Sequence, residues 1–202
     1  TDETVAIQRA IDQLYINSST KGTEQSRVKL HFPAGLYKVS ATIYIPPYCT
    51  IHGDGVDKTK FNMTGDTPVF QTVNSTSTPG NYANDSTSTT LNQASNIAIE
   101  GITIQTVSTT NPAIRLQSCK SSNFRSIKIT GPWTTGTAVT TANAGMELES
   151  LSSLVATQKN KFDHIMFMGL SVGIASDDDV YNNHFHCCHF EGLGNGVMFG
   201  EG

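Results

Sequence analysis

The chain has 202 residues, of which 15% are charged, and its formal net charge is -4 at pH 7. An ordinary globular domain has about 25% charged residues, and a nucleic-acid-binding protein usually presents a basic face. This composition therefore excludes nucleic acid as an expected partner. No run of 18 or more apolar residues is present, so no membrane insertion is expected either.

The N-terminus predicts one helix, from Asp2 to Tyr15, with Thr1 or Asp2 as its cap. Five apolar residues recur at helical spacing and predict the buried stripe: Val5, Ile7, Ala10, Ile11 and Leu14.

A polar connector over 17–25 and a series of short strands follow. Turn residues at Pro33-Ala34-Gly35, Pro46-Pro47 and Gly53-Asp54-Gly55 separate them. The predicted strands are Val28–Phe32, Leu36–Val39, Ala41–Ile45 and Thr50–His52.

One pattern recurs along the second half of the chain. A large apolar residue is followed by apolar residues three and five positions later, in segments that begin at Ile99, Phe124, Phe162 and Phe185. A small residue and then an apolar one follow each copy: Ala113-Ile114, Gly145-Met146, Gly173-Ile174 and Gly196-Val197. Strands of three to five residues that repeat like residues predict a coil of parallel strands, since equivalent side chains then stack at about 4.8 Å. A sandwich would show longer alternating strands and hairpin turns.

Polar stretches over 72–93 and 134–143 are predicted to be insertions between rungs of this coil. Four asparagines precede the repeated apolar positions: Asn96, Asn123, Asn160 and Asn183. They predict either a polar ladder at a corner or ordinary turn residues.

The four cysteines, Cys49, Cys119, Cys187 and Cys188, have no spacing typical of a disulfide framework. Cys188 takes the place that Ile127 holds in an earlier copy, which predicts a buried thiol.

The N-terminal residues resemble those of a known superfamily. Four segments look like the pectate-lyase-like signature: the helix 2–12, Val28–Val39 with Phe32-Pro33-Ala34-Gly35-Leu36-Tyr37, Ile43–Pro46 and Thr50–Gly55. The resemblance is closest over 1–61, and it implies an all-β, right-handed, single-stranded parallel β-helix with a capping N-terminal α-helix. Residues 1–61 are expected to form the cap and first strands, and 62–202 the rungs of the same continuous domain, with rungs expected to continue past Gly202.

The same resemblance, which is most like phage tailspike and tail-fibre proteins, implies a function. We expect a virion appendage, commonly a homotrimer, that recognises host surface polysaccharide and, if it is an enzyme, degrades it. A glycoside hydrolase or polysaccharide lyase not tied to a virion, and then secreted, is one alternative, and a structural spacer is another. No cofactor is expected.

Polygalacturonase-like relatives carry an Asp-Asp and a Gly-His-Gly at defined rungs. In this chain the equivalent positions are Ser171-Val172 and Gly194-Asn195-Gly196. Neither matches, which disfavours polygalacturonase chemistry.

Acidic residues supply the candidate catalytic groups, since sugar hydrolysis needs two carboxyl groups in different environments. Asp177, Asp178 and Glu147 are the catalytic candidates, while Asp179 and Glu149 are candidates for ligand binding. The Asp177–Asp179 cluster also fits a divalent-cation site or a solvated turn. Glu147 and Glu149 flank one strand residue, so they share an outward face.

Trp133 and Tyr82 lie in or beside the insertions and are candidate platforms for a sugar ring. His184, His186 and His189 lie near Cys187 and Cys188. The repeat places these histidines outward and no Cys-x-x-Cys spacing exists, so no metal site is expected.

Overall fold

The computed structural model describes residues 1–16, 29–82 and 85–199. The connector expected over 17–25, together with Val28 and Gly202, lies outside these residues. Within the described part of the chain, no helix is long and apolar enough to cross a membrane.

Short parallel strands dominate the fold, and every strand pairing among the described residues is parallel. The described strands are β1 Lys29–Phe32, β2 Gly35–Val39, β3 Ile43–Ile45, β4 Thr50–Gly53, β5 Thr59–Met63, β6 Phe70–Thr72, β7 Ala98–Gln105, β8 Ile114–Gln117, β9 Asn123–Thr130, β10 Ala144–Glu149, β11 Lys161–Met168, β12 Val172–Ser176, β13 His184–His186, β14 His189–Glu191 and β15 Asn195–Phe199.

These strands form two sheets that the chain visits in turn. One sheet has nine strands, with β1-β4-β7-β9-β11-β13 as its main path, and the other has six, in the order β3-β6-β8-β10-β12-β15. Each strand pairs with its equivalent one turn later in the chain. This is a parallel β-helix, as the sequence predicts.

Like side chains stack along the interior. The rings of Phe124 and Phe162 are 5.1 Å apart and those of Phe162 and Phe185 are 4.6 Å apart, with 10° between the planes of each pair. Phe167 and Phe190 form a second stack at 5.1 Å. The predicted file of aromatic residues is confirmed.

The strands of the repeat are longer than predicted, and each is bent. β7, β9 and β11 have eight residues each, not three to five. One residue near the middle of each of these strands has a positive φ, namely Gly101, Ser126 and His164. Cys187, between β13 and β14, takes the same place in the next rung. The bend divides the strand into two short arms, which explains why the sequence pattern indicates short strands.

Glycines before the inward residues of the six-stranded sheet make room for the aromatic stack. A Cβ atom at Gly145 would lie 2.4 Å from a ring carbon of Phe167, and one at Gly173 would lie 2.6 Å from Phe190. One rung earlier, the register replaces Phe167 by Ile129 and Gly145 by Ala113. Glycine therefore faces the larger phenylalanine, and alanine faces the smaller isoleucine.

The cap helix is shorter than predicted. Helix α1 spans Thr4–Ile11, and Asp12–Ile16 continues it as a π-helical segment. Ile7 and Ile11 join the core beneath the helix. Val5 was expected in the same stripe but is 66% exposed, since the short helix turns that face to solvent. The N-cap is Glu3, not Thr1 or Asp2, and its side chain makes no capping bond. Asp2 accepts the backbone N–H of Thr4 at 2.9 Å.

The polar corner ladder forms with a changed membership. Asn160 is fully buried, and its Nδ2 donates to Asn183 Oδ1 at 3.0 Å and to the carbonyl of Cys119 at 2.8 Å. Its Oδ1 accepts the backbone N–H of Ser122 at 3.0 Å. Asn123 is one position out of register and exposed, and Asn96 is also exposed, at a positive-φ corner.

Buried polar groups hold the insertion over 72–93 against the β-helix, so it does not simply bulge outward. Gln93 is 2% exposed, and its Nε2 donates to the carbonyls of Ser118 and Ala156 at 2.8 and 3.2 Å. Asn74 is buried as well and donates to Thr87 at 2.8 Å. Polar anchors therefore supplement the buried Val73 in this segment.

All four cysteines are free thiols. Cys188 packs against the core but is only partly buried, not fully buried as expected. It lies in the last described rung, where no further strand covers it. Phe185 and Phe199 of that rung are exposed for the same reason.

Candidate functional site

One column of ionisable side chains crosses the outer face of the nine-stranded sheet. The strand register places one such residue in each of six successive rungs. We call this column the charged ladder; it consists of His31, His52, Glu100, Arg125, Asp163 and His186. Each member directly follows the first inward apolar residue of its rung, so each points outward because strand side chains alternate.

Three pairs of neighbouring ladder members are hydrogen-bonded: His52–Glu100, Glu100–Arg125 and Asp163–His186. Glu100 is the hub, since one of its oxygens contacts His52 Nδ1 at 2.8 Å and the other accepts from Arg125 Nη2 at 2.5 Å. Lys29 Nζ is 3.3 Å from the same carboxylate. Within the ladder, His52, Glu100 and Arg125 form one ionic group and Asp163 and His186 form another, while His31 pairs with Asp54.

One further carboxylate, that of Asp54, belongs to this face, and Asp163 of the ladder contacts two histidines. Asp54 accepts a hydrogen bond from the backbone N–H of Ala34 at 2.8 Å, and its other oxygen is 2.7 Å from His31 Nε2. Asp163 Oδ1 lies 2.8 Å from His164 Nδ1 and 2.7 Å from His186 Nδ1. Histidine thus pairs with each of the three acidic residues.

These pairings hold the pKa values of all three carboxyl groups below their ordinary range. For Asp54 the lower pKa comes first from the hydrogen bond with His31, and for Asp163 first from that with His186. Burial acts to raise the pKa of Glu100, but the hydrogen bonds from Arg125, His52 and Lys29 together outweigh it. The three groups are therefore carboxylates at neutral pH, suited to accept hydrogen bonds and unsuited to act as general acids.

A groove of about 610 Å³ follows this face across the bends of several rungs. Its lining residues are His52, Gly53, Asp54, Gly55, Glu100, Gly101, Arg125, Ser126, Asp163 and His164. The glycines bring backbone of adjacent rungs close together, since a Cβ at Gly53 would lie 2.4 Å from the carbonyl oxygen of Gly101. Charged side chains of both signs therefore line the groove.

The catalytic candidate Glu147 and the ligand-binding candidate Glu149 lie on the other sheet. Both face outward from β10, as predicted, and both contact Arg115 Nε, at 2.7 and 3.4 Å. Gln117 Nε2 donates to Glu149 at 2.8 Å. Burial, followed by the neighbouring Glu147 charge, raises the pKa of Glu149 although Arg115 opposes that shift.

The Asp177–Asp179 cluster forms the turn after β12, next to the rung that holds Glu149. The backbone N–H of Asp177 donates to the Leu148 carbonyl at 3.0 Å, and Ser150 Oγ donates to the Asp179 carbonyl at 2.9 Å. Asp177 and Asp178 are exposed. The turn therefore lies beside β10 on the six-stranded sheet, whereas the groove lies on the nine-stranded sheet.

The two aromatic candidates lie apart from both acidic groups. Tyr82 stacks on Tyr44 with ring centroids 4.4 Å apart, and its hydroxyl donates to Asp12 at 2.9 Å. This contact pins the first insertion to the cap. The indole N–H of Trp133 donates to the carbonyl of Ala138 at 3.3 Å, which closes its own loop.

None of the groove residues is among the candidates that the sequence indicates. A signal is nevertheless present in the four copies of the repeat and in two earlier strands. The residue after the first inward apolar position is ionisable in each: His31, His52, Glu100, Arg125, Asp163 and His186. Single copies look like ordinary solvent-facing strand residues. Only the register turns them into neighbours.

The family model described as rhamnogalacturonase A/epimerase, pectate lyase-like, matches residues 1–201. No curated protein matches the chain.

Similar solved structures come from phages. ORF18 of Geobacillus virus E2 is 19% identical with a TM-score of 0.50, and the match covers all of this chain and 38% of that one. The N-terminal fragment of bacteriophage phi29 gene product 12 is 13% identical with a TM-score of 0.52. The match covers 98% of this chain and 39% of that one. The pre-mature phi29 gene product 12 is 12% identical with a TM-score of 0.51, at 98% and 32% coverage. The chain therefore spans well under half of each of these proteins, and the likeness is one of fold.

Proposed function

The chain belongs to the rhamnogalacturonase A/epimerase, pectate lyase-like family, and from this premise we propose that it is the β-helical part of a phage virion appendage, a tailspike or tail fibre, that binds host surface polysaccharide. Phage proteins among its structural neighbours support the virion setting. The charged ladder in its groove is the observation that carries the polysaccharide half of the proposal.

The ladder suits an extended sugar chain. At the usual spacing of about 4.8 Å between strands, six rungs span about 24 Å, which is longer than a single sugar ring. Sugar hydroxyl groups both donate and accept hydrogen bonds, and the ladder offers carboxylate acceptors beside Arg125 and histidine donors. Charge-assisted hydrogen bonds of this kind are about twice as strong as neutral ones.

The ionisation of the groove favours binding over acid catalysis. Each of Asp54, Glu100 and Asp163 has a lowered pKa, whereas a glycosidase needs one carboxyl group that stays protonated. We therefore assign recognition to the groove. The assembled appendage in this proposal is a homotrimer in the virion, with residues 1–61 and 62–202 as one continuous domain; secretion is the alternative location.

Glycan-array binding of the purified chain, with capsule and lipopolysaccharide fragments, tests the proposal. Arg125→Gln should weaken binding of the recognised glycan by about 10-fold or more, since a charge-assisted hydrogen bond contributes about 1.5–3 kcal/mol. Arg115→Gln is the matched control, because Arg115 is an ion-paired arginine of the other sheet, and it should change binding by less than about twofold. Absence of binding to every glycan, or equal losses in both variants, would overturn the assignment.

A glycoside hydrolase or polysaccharide lyase is the second candidate, and one observation favours it. The environments of Glu149 and Glu147 differ, since burial raises the pKa of Glu149 while Arg115 lies closest to Glu147. Glycoside hydrolysis uses two carboxyl groups whose environments separate their pKa values. Release of oligosaccharides that Glu149→Gln abolishes would establish this activity. Silence in both the binding and the release assay would leave the structural spacer.

A further inference from the structure

Two adjacent rungs bring four polar side chains together at one end of the groove. Asp163 and His164 lie in β11, and the register places His186 and Cys187 directly beside them in the next rung. His164 and Cys187 both occupy the bend, with φ of 53° and 51°. The bend turns each of these side chains toward the outward residue that precedes it.

The hydrogen bonds fix which atoms remain available. Asp163 Oδ1 is 2.8 Å from Nδ1 of His164 and 2.7 Å from Nδ1 of His186. A carboxylate accepts from an Nδ1–H, so each ring presents the lone pair of its Nε2. The two rings meet nearly edge to face, at 73°, and therefore do not block each other by stacking.

One ring nitrogen of each histidine and the cysteine sulfur lie close together. Cys187 Sγ is 3.5 Å from His186 Nε2, and one ligand atom from each of His164, His186 and Cys187 lies within 4.8 Å of the others. Tetrahedral zinc has bonds of about 2.0–2.1 Å to nitrogen and about 2.3 Å to sulfur, which separates those two ligands by about 3.5 Å. The observed nitrogen–sulfur distance thus matches an edge of that tetrahedron.

We propose that His164, His186 and Cys187 bind a zinc-class divalent ion, with Asp163 as the positioning residue that orients both imidazoles. Two nitrogens and one thiolate select Zn²⁺, or Co²⁺ as its probe, over the oxygen-seeking Mg²⁺ and Ca²⁺. Three protein ligands leave a fourth position for water or for a group bound in the groove, which Asp163 and His164 also line.

The sequence cluster contains His186 and Cys187 but not His164, and no metal site is expected from it. His184 and His189 flank the relevant segment, but His189 instead lies 3.5 Å from Glu191. Cys188 faces the core, with its Sγ 3.9 Å from the carbonyl oxygen of Phe162. The essential partner, His164, is 23 positions before Cys187 in the chain and joins it only through the strand register.

Cobalt titration of tag-free, EDTA-treated protein tests the site. We expect one Co²⁺ per chain, a thiolate-to-cobalt charge-transfer band in the near ultraviolet, and displacement of that band by Zn²⁺ but not by Mg²⁺. Cys187→Ser should abolish the band, and His164→Gln should weaken Co²⁺ binding by about 100-fold or more. Asp163→Asn should keep the band but weaken binding by about 10- to 100-fold, as removal of an outer-shell partner does.

Cys188→Ser and His184→Gln are the matched controls, and each should change the affinity by less than about twofold. All substituted ligands are exposed, so circular dichroism should report an unchanged fold. The proposal would be overturned if wild-type protein gave no charge-transfer band, if the band survived Cys187→Ser, or if Cys188→Ser removed it. Because this readout contains no sugar, it stands or fails separately from glycan recognition.

Discussion

Asn160 is the residue on which the polar corner depends. Its side chain is completely buried and links three rungs, through Cys119 and Ser122 on one side and Asn183 on the other. A buried polar group that loses its partner costs about 1–3 kcal/mol. The amide therefore stabilises the stack only because both of its ends are used.

Asn160→Ala should lower the free energy of unfolding by about 1–3 kcal/mol, since it leaves the backbone N–H of buried Ser122 without its partner. Asn123→Ala should change it by less than about 0.5 kcal/mol, because Asn123 is exposed. Urea unfolding followed by circular dichroism measures both. Equal destabilisation by the two variants would mean that asparagine matters at these corners only as a turn residue.

Glu149 gives the stability of the six-stranded face a pH dependence. Burial raises its pKa above the ordinary value of 4.5, so folding favours the protonated form. The resulting stabilisation is fully present below pH 4.5 and is lost as the pH rises through the folded-state pKa.

Glu149→Gln should therefore be more stable than the wild type at pH 7, and the difference should shrink as the pH falls to about 4. Glu147→Gln is the control and should be less stable at pH 7 by about 1 kcal/mol or less, because it removes the partner of Arg115. Thermal unfolding across this pH range measures both effects. Parallel stability curves for wild type and Glu149→Gln would contradict the burial argument.

At the scale of elements, the N-terminal helix covers one end of the coil. An uncovered end would expose apolar core and unpaired strand edges to solvent. Ile11 is fully buried beneath the helix, and Tyr15 continues the contact from the π-helical segment. Gln8 ties the helix to β3, since the N–H of Tyr44 donates to its Oε1 at 2.7 Å.

Ile11→Asp should uncap the helix and lower the free energy of unfolding by about 3 kcal/mol or more, because it buries a carboxyl group in an apolar site. Val5→Asp introduces the same charge on the same helix at a position that is 66% exposed, and it should have an effect below about 0.5 kcal/mol. Differential scanning calorimetry compares them. A melting temperature unchanged by Ile11→Asp would show that the helix is not a cap.

At the scale of the whole molecule, each rung is stabilised mainly by its two neighbours. β9 and β11 lie between paired strands, whereas β13 and β15 each pair on one side only among the described residues. Phe199 and Phe185 on this last rung are 77% and 45% exposed. Stability should therefore decline toward that end.

Hydrogen exchange should reveal this gradient in the 202-residue chain. Amides of β13 and β15 should exchange at least about tenfold faster than those of β9 and β11, since local opening of a one-sided rung breaks fewer contacts. Mass spectrometry of peptic fragments measures the rates. Uniform protection along the coil would indicate that the rungs open as one cooperative unit.

Much of the architecture could be predicted from the sequence. The inward positions of each rung obey a local rule, in which apolar residues recur at fixed offsets, and stacking then follows for Phe124, Phe162 and Phe185. The cap helix shows its own periodicity, although its length and the exposure of Val5 depend on where the coil lies beneath it. The bends were hidden because Ser126 and His164 adopt positive φ without being glycine.

The outward face could not be predicted, because it depends on which rungs become neighbours and in what register. An offset of one position puts Ser122 in the polar ladder and leaves Asn123 outside it. In the same way, the register alone brings Glu100 to Arg125 and His164 to Cys187. Amino-acid order determined what the interior is made of, since burial is a property of single side chains. Tertiary structure decided the groove and the proposed metal site, since hydrogen bonding and coordination require atoms from separate turns to meet within a few ångströms.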